Sequence, residues 1–239
     1  MNMLPVPVAR FVELATAAHP DPIHTVVIET SAWMRRPKLP PIPLEIRMSH
    51  QLGEAFVHEI RVGRGVLSVG FGLDAFVDGH GLMKVGPSIL TGPTFDQGAL
   101  IAMWGEALTF PTAWLSRGDV RWQPIDEDAA WLVVPARDGK VPIKVTFDRA
   151  SGWPALCEAD RYRTPDSMVD WFGYWRDWHV DDAGLFAPHR LLVRWADEDR
   201  PWLDVRVDSI RANAPIERAL AMARHALAGA PVAHPAAPG

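Results

Sequence analysis

Apolar and polar positions along this chain repeat with two different periods, and the switches between them predict its elements. Val8, Phe11, Val12 and Ala15 fall at i, i+3, i+4 and i+7, the spacing of a short amphipathic helix over residues 8–18 that Pro20 and Pro22 stop. A β-branched run then predicts a strand over residues 24–34. After a Pro-rich link at 37–43, Ile42, Leu44, Ile46 and Met48 alternate with Pro43, Glu45, Arg47 and Ser49, the pattern of a strand with one wet face. Two more strands follow at 54–62 and 65–76, separated by Val62-Gly63-Arg64-Gly65, and Asp78-Gly79-His80-Gly81 makes a further tight turn.

The alternation breaks at residues 94–115. Leu100, Ile101, Trp104 and Leu108 recur at helical spacing, so a helix from about 95 to 108 lays an apolar stripe on something large and flat until Pro111 ends it. Glu106 sits in the middle of this segment. Strands resume at 120–123, 129–134, 141–147, 155–163, 170–180, 187–196 and 202–211, joined by short acidic or glycine-containing turns. Pro215 and Glu217 open a last helix with Ile216, Leu220 and Leu227 on one side, and the Ala/Pro stretch 229–239 is expected to be disordered. About ten antiparallel strands around one long central helix predict a mainly β fold. Its sheet is a strongly curved half-barrel plugged by that helix, with short helices at both ends, in a single domain over residues 1–228. The volume that the helix leaves unfilled is the natural ligand site.

Composition narrows the function. A length of 239 residues suits one large all-β domain. A net charge of −5 without any basic run offers no footprint for a nucleic-acid backbone or an anionic membrane. The single cysteine, Cys157, excludes an internal disulfide and fits a reducing compartment. With no signal-peptide pattern at the start and no apolar window long enough for a transmembrane segment, the expected location is cytoplasmic. Eleven Trp against two Tyr supply large rigid apolar surfaces to a core, a pocket, or both.

Candidate chemistry centres on Glu106, which reads either as an acid/base facing a cavity or as the acidic half of a buried ion pair with Arg161 or Arg163. Those arginines flank Tyr162 and share a strand face, where they could instead hold an anionic ligand. Asp74 reads as a turn cap or a second catalytic carboxylate, His58 as a core histidine between Phe56 and Ile60, and His80 as a solvated turn residue. No HExxH, HxH or cysteine–histidine pairing occurs, and no GxSxG, P-loop or GxGxxG context, so neither a metal site nor a cofactor is expected. Trp171 and Trp175 share one strand face with Trp178 on the other. With Trp104, Trp122 and Trp195 they either line an aromatic pocket or fill a wide core.

Several motifs in order resemble one family nearly end to end. They are LPVPVARFVE, LDAFVDGHG, GEALTFPTAWL followed by VRWQPID, the Arg161-Tyr162-Arg163 triplet, and Gly184-Leu185-Phe186-Ala187-Pro188 followed by Trp195. The chain is similar to the domain-of-unknown-function family numbered 6544, which looks like the curved half-barrels of the LolA/LolB lipoprotein carriers and the VioE pigment enzyme. Thr109 and Trp114 depart from that family's usual aromatic and leucine. The resemblance implies a hydrophobic cavity but carries no activity. Two functions are expected to compete: a binder of a lipid-like or aromatic small molecule, and a cofactor-free isomerase, cyclase or lyase using Glu106 as acid/base on an aromatic or terpenoid-like substrate. A partner-binding domain with an exposed tryptophan face is a third possibility.

Overall fold

The computed structural model describes residues 3–19, 21–63, 65 and 68–230. Half of them form one 13-stranded antiparallel sheet. In chain order the elements are α1 (Val6–Ala18), β1 (Thr25–Met34), β2 (Ile42–Gln51), β3 (Ala55–Val62), β4 (Gly70–Val77), β5 (His80–Val85), β6 (Ser88–Thr91) and α2 (Pro93–Ala107). A short 3₁₀ turn (Pro111–Ala113) precedes β7 (Arg121–Pro124), β8 (Ala129–Ala136), β9 (Gly139–Phe147), β10 (Pro154–Thr164), β11 (Ser167–Val180), β12 (Phe186–Trp195), β13 (Leu203–Ala212) and α3 (Glu217–Ala228). Across the sheet the order runs β6-β5-β4-β3-β2-β1-β13-β12-β11-β10-β9-β8-β7, so β1 pairs with β13 in the middle and, among the described residues, the edge strands β6 and β7 have no outer partner strand.

That order explains the curvature. α2 packs against β4, β5 and β6 near one edge and against β8, β9 and β10 near the other, so the sheet must bend until both ends reach the helix. Two glycines mark how close they come. A Cβ on Gly81 of β5 would lie 2.2 Å from the Phe95 carbonyl oxygen of α2, and one on Gly98 of α2 would lie 3.0 Å from Nε of Arg161 on β10. Asp96 in the first turn of α2 accepts the Gly81 backbone N–H at 2.8 Å and lies 3.6 Å from Nδ1 of His80.

The core lies mainly between α2 and the concave face. Trp104, Ile101, Met103 and Leu108 of the central segment are buried with Phe56, Leu132, Ile143 and Trp175 of the sheet. α1 closes one end of this core, placing Phe11 against Phe147 and Trp153. α3 covers the convex side of β3 and β4, on Val57, Leu73, Ala75 and Val77. A further cluster, with Ala32, Leu44, Ile46, Met48 and Val205 at its centre, lies on β1, β2 and β13.

The mainly β, curved, helix-plugged fold expected from periodicity is the one observed. The strand count rises from about ten to thirteen because β5 and β6 follow the Asp78-Gly79 turn as segments of only six and four residues, too short for a period-2 signal. α2 is not amphipathic: Gly98 through Gly105 are all buried, as a wrapped helix requires, and Glu106 is the break in that surface. Asp74 does not cap a turn; it lies inside β4, and Asp78 at φ 53° and Gly79 make the turn instead. Trp178 packs against the main cluster rather than on a separate face, after the left-handed Asp177 (φ 56°) interrupts strand alternation. The tail expected to be disordered falls, from residue 231 on, outside the described residues, as does Pro20.

Candidate functional site

The site begins in the β2–β3 hairpin. Its register pairs His50 with Phe56 and Met48 with His58, which puts both histidines on one face as diagonal neighbours. Gly53 (φ 75°) makes the turn between them. A Cβ there would meet the Ala113 carbonyl oxygen at 2.5 Å, so the hairpin tip and the segment after α2 are fixed against each other. Glu106, in the last turn of α2, projects onto this face.

One carboxylate oxygen serves both histidines. Nε2 of His58 is hydrogen-bonded to Oε2 of Glu106 at 3.0 Å, and Nε2 of His50 lies 3.1 Å from the same oxygen. The second contact is close in distance but misdirected: neither ring nitrogen of His50 has an aligned hydrogen-bond partner, although its side chain is only 3% exposed. We therefore read it as a polar contact and not as a formed hydrogen bond. Glu106 is 20% exposed, and its backbone carbonyl accepts the Thr109 hydroxyl at 2.9 Å.

Burial alone would raise the Glu106 carboxyl, but the charge of His58 and the contacts from both histidines outweigh it and hold the group down to about 2. Burial pulls His58 down, and the Glu106 carboxylate, helped by Asp74, more than reverses this, so His58 is raised. Asp74 faces His58 across the β3–β4 register. Burial raises its carboxyl against the opposing charges of His58 and Arg161. Arg161 is lowered by burial, with Asp74 and Glu106 working the other way. The partner of Glu106 is thus a histidine pair; the expected ion pair with Arg161 or Arg163 does not form.

Beside Glu106 a narrow cavity of about 30 Å³ opens between the end of α2 and strands β1, β2, β11, β12 and β13. Its walls are Val26, Ile28, Met48, Leu52, Phe110, Trp175, Leu191, Val207 and Ile210, among others, and its polar groups are His50, Glu106 and Thr109. Of the candidate site residues read from the sequence, Glu106 and Trp175 line this cavity, as does Thr109, one of the two departures from the family pattern. Trp104 is buried in the core with the Arg117 guanidinium 5.4 Å from its ring. Arg161 stacks 5.3 Å from the ring of Trp171, which is also buried. Arg163 pairs with Asp197 and Glu198 and lies over Trp195, away from Glu106, and Trp122 packs edge-on against Trp114.

His50 is the residue that sequence reading missed. The available signal was the Leu52-Gly53-Glu54 turn. Once residues 42–62 are read as one hairpin, His50 and His58 fall on the same face two rungs apart.

The chain matches the family of unknown function DUF6544 over residues 1–205 and belongs to it. No curated protein matches it. Among solved structures it is similar to a LolA superfamily protein from Nitrosomonas europaea, at 10% identity and a TM-score of 0.53, covering 88% of this chain and 96% of that one. A DUF1329 family protein from Desulfovibrio piger aligns at 12% identity and a TM-score of 0.47, over 89% of this chain and 95% of that one. A putative outer membrane lipoprotein-sorting protein domain from Vibrio parahaemolyticus aligns at 8% identity and a TM-score of 0.47, over 85% and 91%. At 10% identity the Nitrosomonas likeness shows a shared fold and nothing about activity. No helix among the described residues is long and apolar enough to cross a membrane.

Proposed function

We propose that this DUF6544 member binds a hydrophobic small molecule, lipid-like or aromatic, between α2 and the concave face of the sheet. One observation carries the reading. The cavity beside Glu106 has apolar walls and a single polar corner, where Thr109 bonds to the Glu106 carbonyl and His50 touches the Glu106 carboxylate. Apolar walls with a few convergent polar groups are what a site for an amphipathic ligand requires.

At about 30 Å³ the cavity holds little more than a water molecule, so a ligand must displace side chains to enter. Met48, Ile28 and Leu191 belong both to the cavity wall and to the cluster on β1, β2 and β13, and they supply the route. Methionine at this junction can repack around an apolar chain at small cost. The ligand's polar end would rest on His50 and Glu106. Arg161 and Asp74, close enough for their charges to act on Glu106, set the local field. The expected cytoplasmic location is part of this reading.

A carboxyl held at about 2 is a weak base near neutrality, so the rival use of Glu106 as acid/base in a cofactor-free enzyme gains nothing from this geometry. Native mass spectrometry of the protein from its own host, with a thermal-shift screen of apolar compounds, tests the binder. Retention of an apolar molecule, or a concentration-dependent rise in Tm, is expected. The absence of both would contradict the proposal.

A further inference from the structure

We propose that His50, His58 and Glu106 form the binding site of a single divalent transition-metal ion of the zinc type, with its open coordination position turned toward the apolar cavity. One ligand atom from each residue lies within 4.8 Å of the other two, and no other such group of three occurs among the described residues. Both histidine nitrogens stand 3.0 and 3.1 Å from one carboxylate oxygen. Such separations match neighbouring ligands on a shared ion with bonds of about 2.0–2.2 Å. Two imidazoles and one carboxylate are the donor set of three-ligand zinc sites and of the facial triads that hold iron, both of which leave positions free.

A second observation points the same way. The His50 side chain is 97% buried by its 3% exposure, it is aimed at Glu106, and neither of its ring nitrogens has an aligned partner. A buried imidazole in that state lacks the hydrogen bond that its burial demands, and a lone pair given to an ion supplies the missing interaction. The support around the ligands is of the right kind. Asp74 faces His58 across the β3–β4 register, where a carboxylate can act on the ring of a ligating histidine. The ligands stand on a hairpin and a helix held together at Gly53, so the site would be preformed. His50 and Glu106 also line the cavity, which places the free coordination position there. This inference does not depend on the ligand reading, since an ion could be held whether or not an apolar molecule binds.

The full chain, stripped with a chelator and shown to be folded by circular dichroism, is titrated with Co²⁺ and with Zn²⁺. We expect one equivalent to bind, visible cobalt bands of low-symmetry coordination, and a rise in Tm. His50→Ala and Glu106→Gln should each weaken binding by more than the roughly 100-fold that loss of an outer-shell partner costs. Should one of these variants fail to fold, the other carries the test. The double variant His179→Ala, His189→Ala removes a stacked histidine pair elsewhere, whose rings are 3.7 Å apart, and should bind as wild type. Absence of cobalt bands, binding unchanged in folded His50→Ala or Glu106→Gln, or loss of binding in the His179/His189 variant would each overturn the proposal. So would an apolar ligand protecting the chain equally with and without metal while no stoichiometric ion binds, a result that leaves the ligand reading standing.

Discussion

Glu106→Gln keeps the size of the side chain and removes the one charge that faces both His50 and His58. Folding lowers this carboxyl from its ordinary 4.5 to about 2, which at 1.36 kcal/mol per pH unit corresponds to about 3 kcal/mol. The same contact raises His58, so the two effects are one interaction and count once. Glutamine can still accept a hydrogen bond from His58, which leaves an expected loss of about 1–3 kcal/mol at neutral pH in chelator-treated protein. The sign sets a pH signature. The depressed carboxyl stabilises above its ordinary 4.5, and this is lost as pH falls toward 2; the raised His58 stabilises below its ordinary 6.5, and this is lost as pH rises through its folded value. The deficit of the variant should therefore peak at mildly acid pH, about 5–6, and shrink on both sides. Urea denaturation of both proteins between about pH 3 and pH 9, followed by circular dichroism, measures it. A deficit that does not vary with pH, or none at all, would refute the pairing of Glu106 with the histidines.

Three further outcomes follow from the packing. Gly81→Ala drives a methyl group into the Phe95 carbonyl of α2 and should cost about 1–3 kcal/mol in urea melts, whereas a neutral result would mean the helix does not press on β5. Cys157 is buried and its thiol is pushed up to about 12 by burial, so a thiol reagent at pH 8 should label it only at the rate of unfolding. Arg163→Ala breaks a surface pairing with Asp197 and Glu198 and should change stability by less than about 1 kcal/mol, with no effect on ligand binding; a loss of binding would return Arg163 to the site.

The fold was legible because strands such as residues 42–48 and 141–147 alternate, because turn residues bound the other short runs, and because one long apolar segment stood apart from them. Val141, Ile143, Val145 and Phe147 point inward as their spacing requires, and α2 occupies the place that a half-barrel leaves for it. The site was legible in part. Glu106 stood out as a charge in an apolar run, and burial with a charged partner is what it shows. Its partner was misjudged because Arg161 lies nearer in chemical expectation than in space. Its guanidinium packs on Gly98 and Trp171, while the histidines arrive from a hairpin more than forty residues upstream. Tryptophans misled for a related reason. A wide sheet needs large rings to meet its helix, and Trp104 and Trp171 fill that role in the core, leaving Trp175 to face the cavity.

Filling the space beside Glu106 tests most directly whether an apolar ligand enters it. Ile210 lines the cavity from β13, and Ile210→Phe adds apolar volume there without adding charge. A fluorescent acyl probe should bind the wild-type chain saturably, and a folded Ile210→Phe variant should bind it at least about tenfold more weakly, a loss of about 1.4 kcal/mol. Equal binding by the two proteins would contradict the account and place the ligand elsewhere.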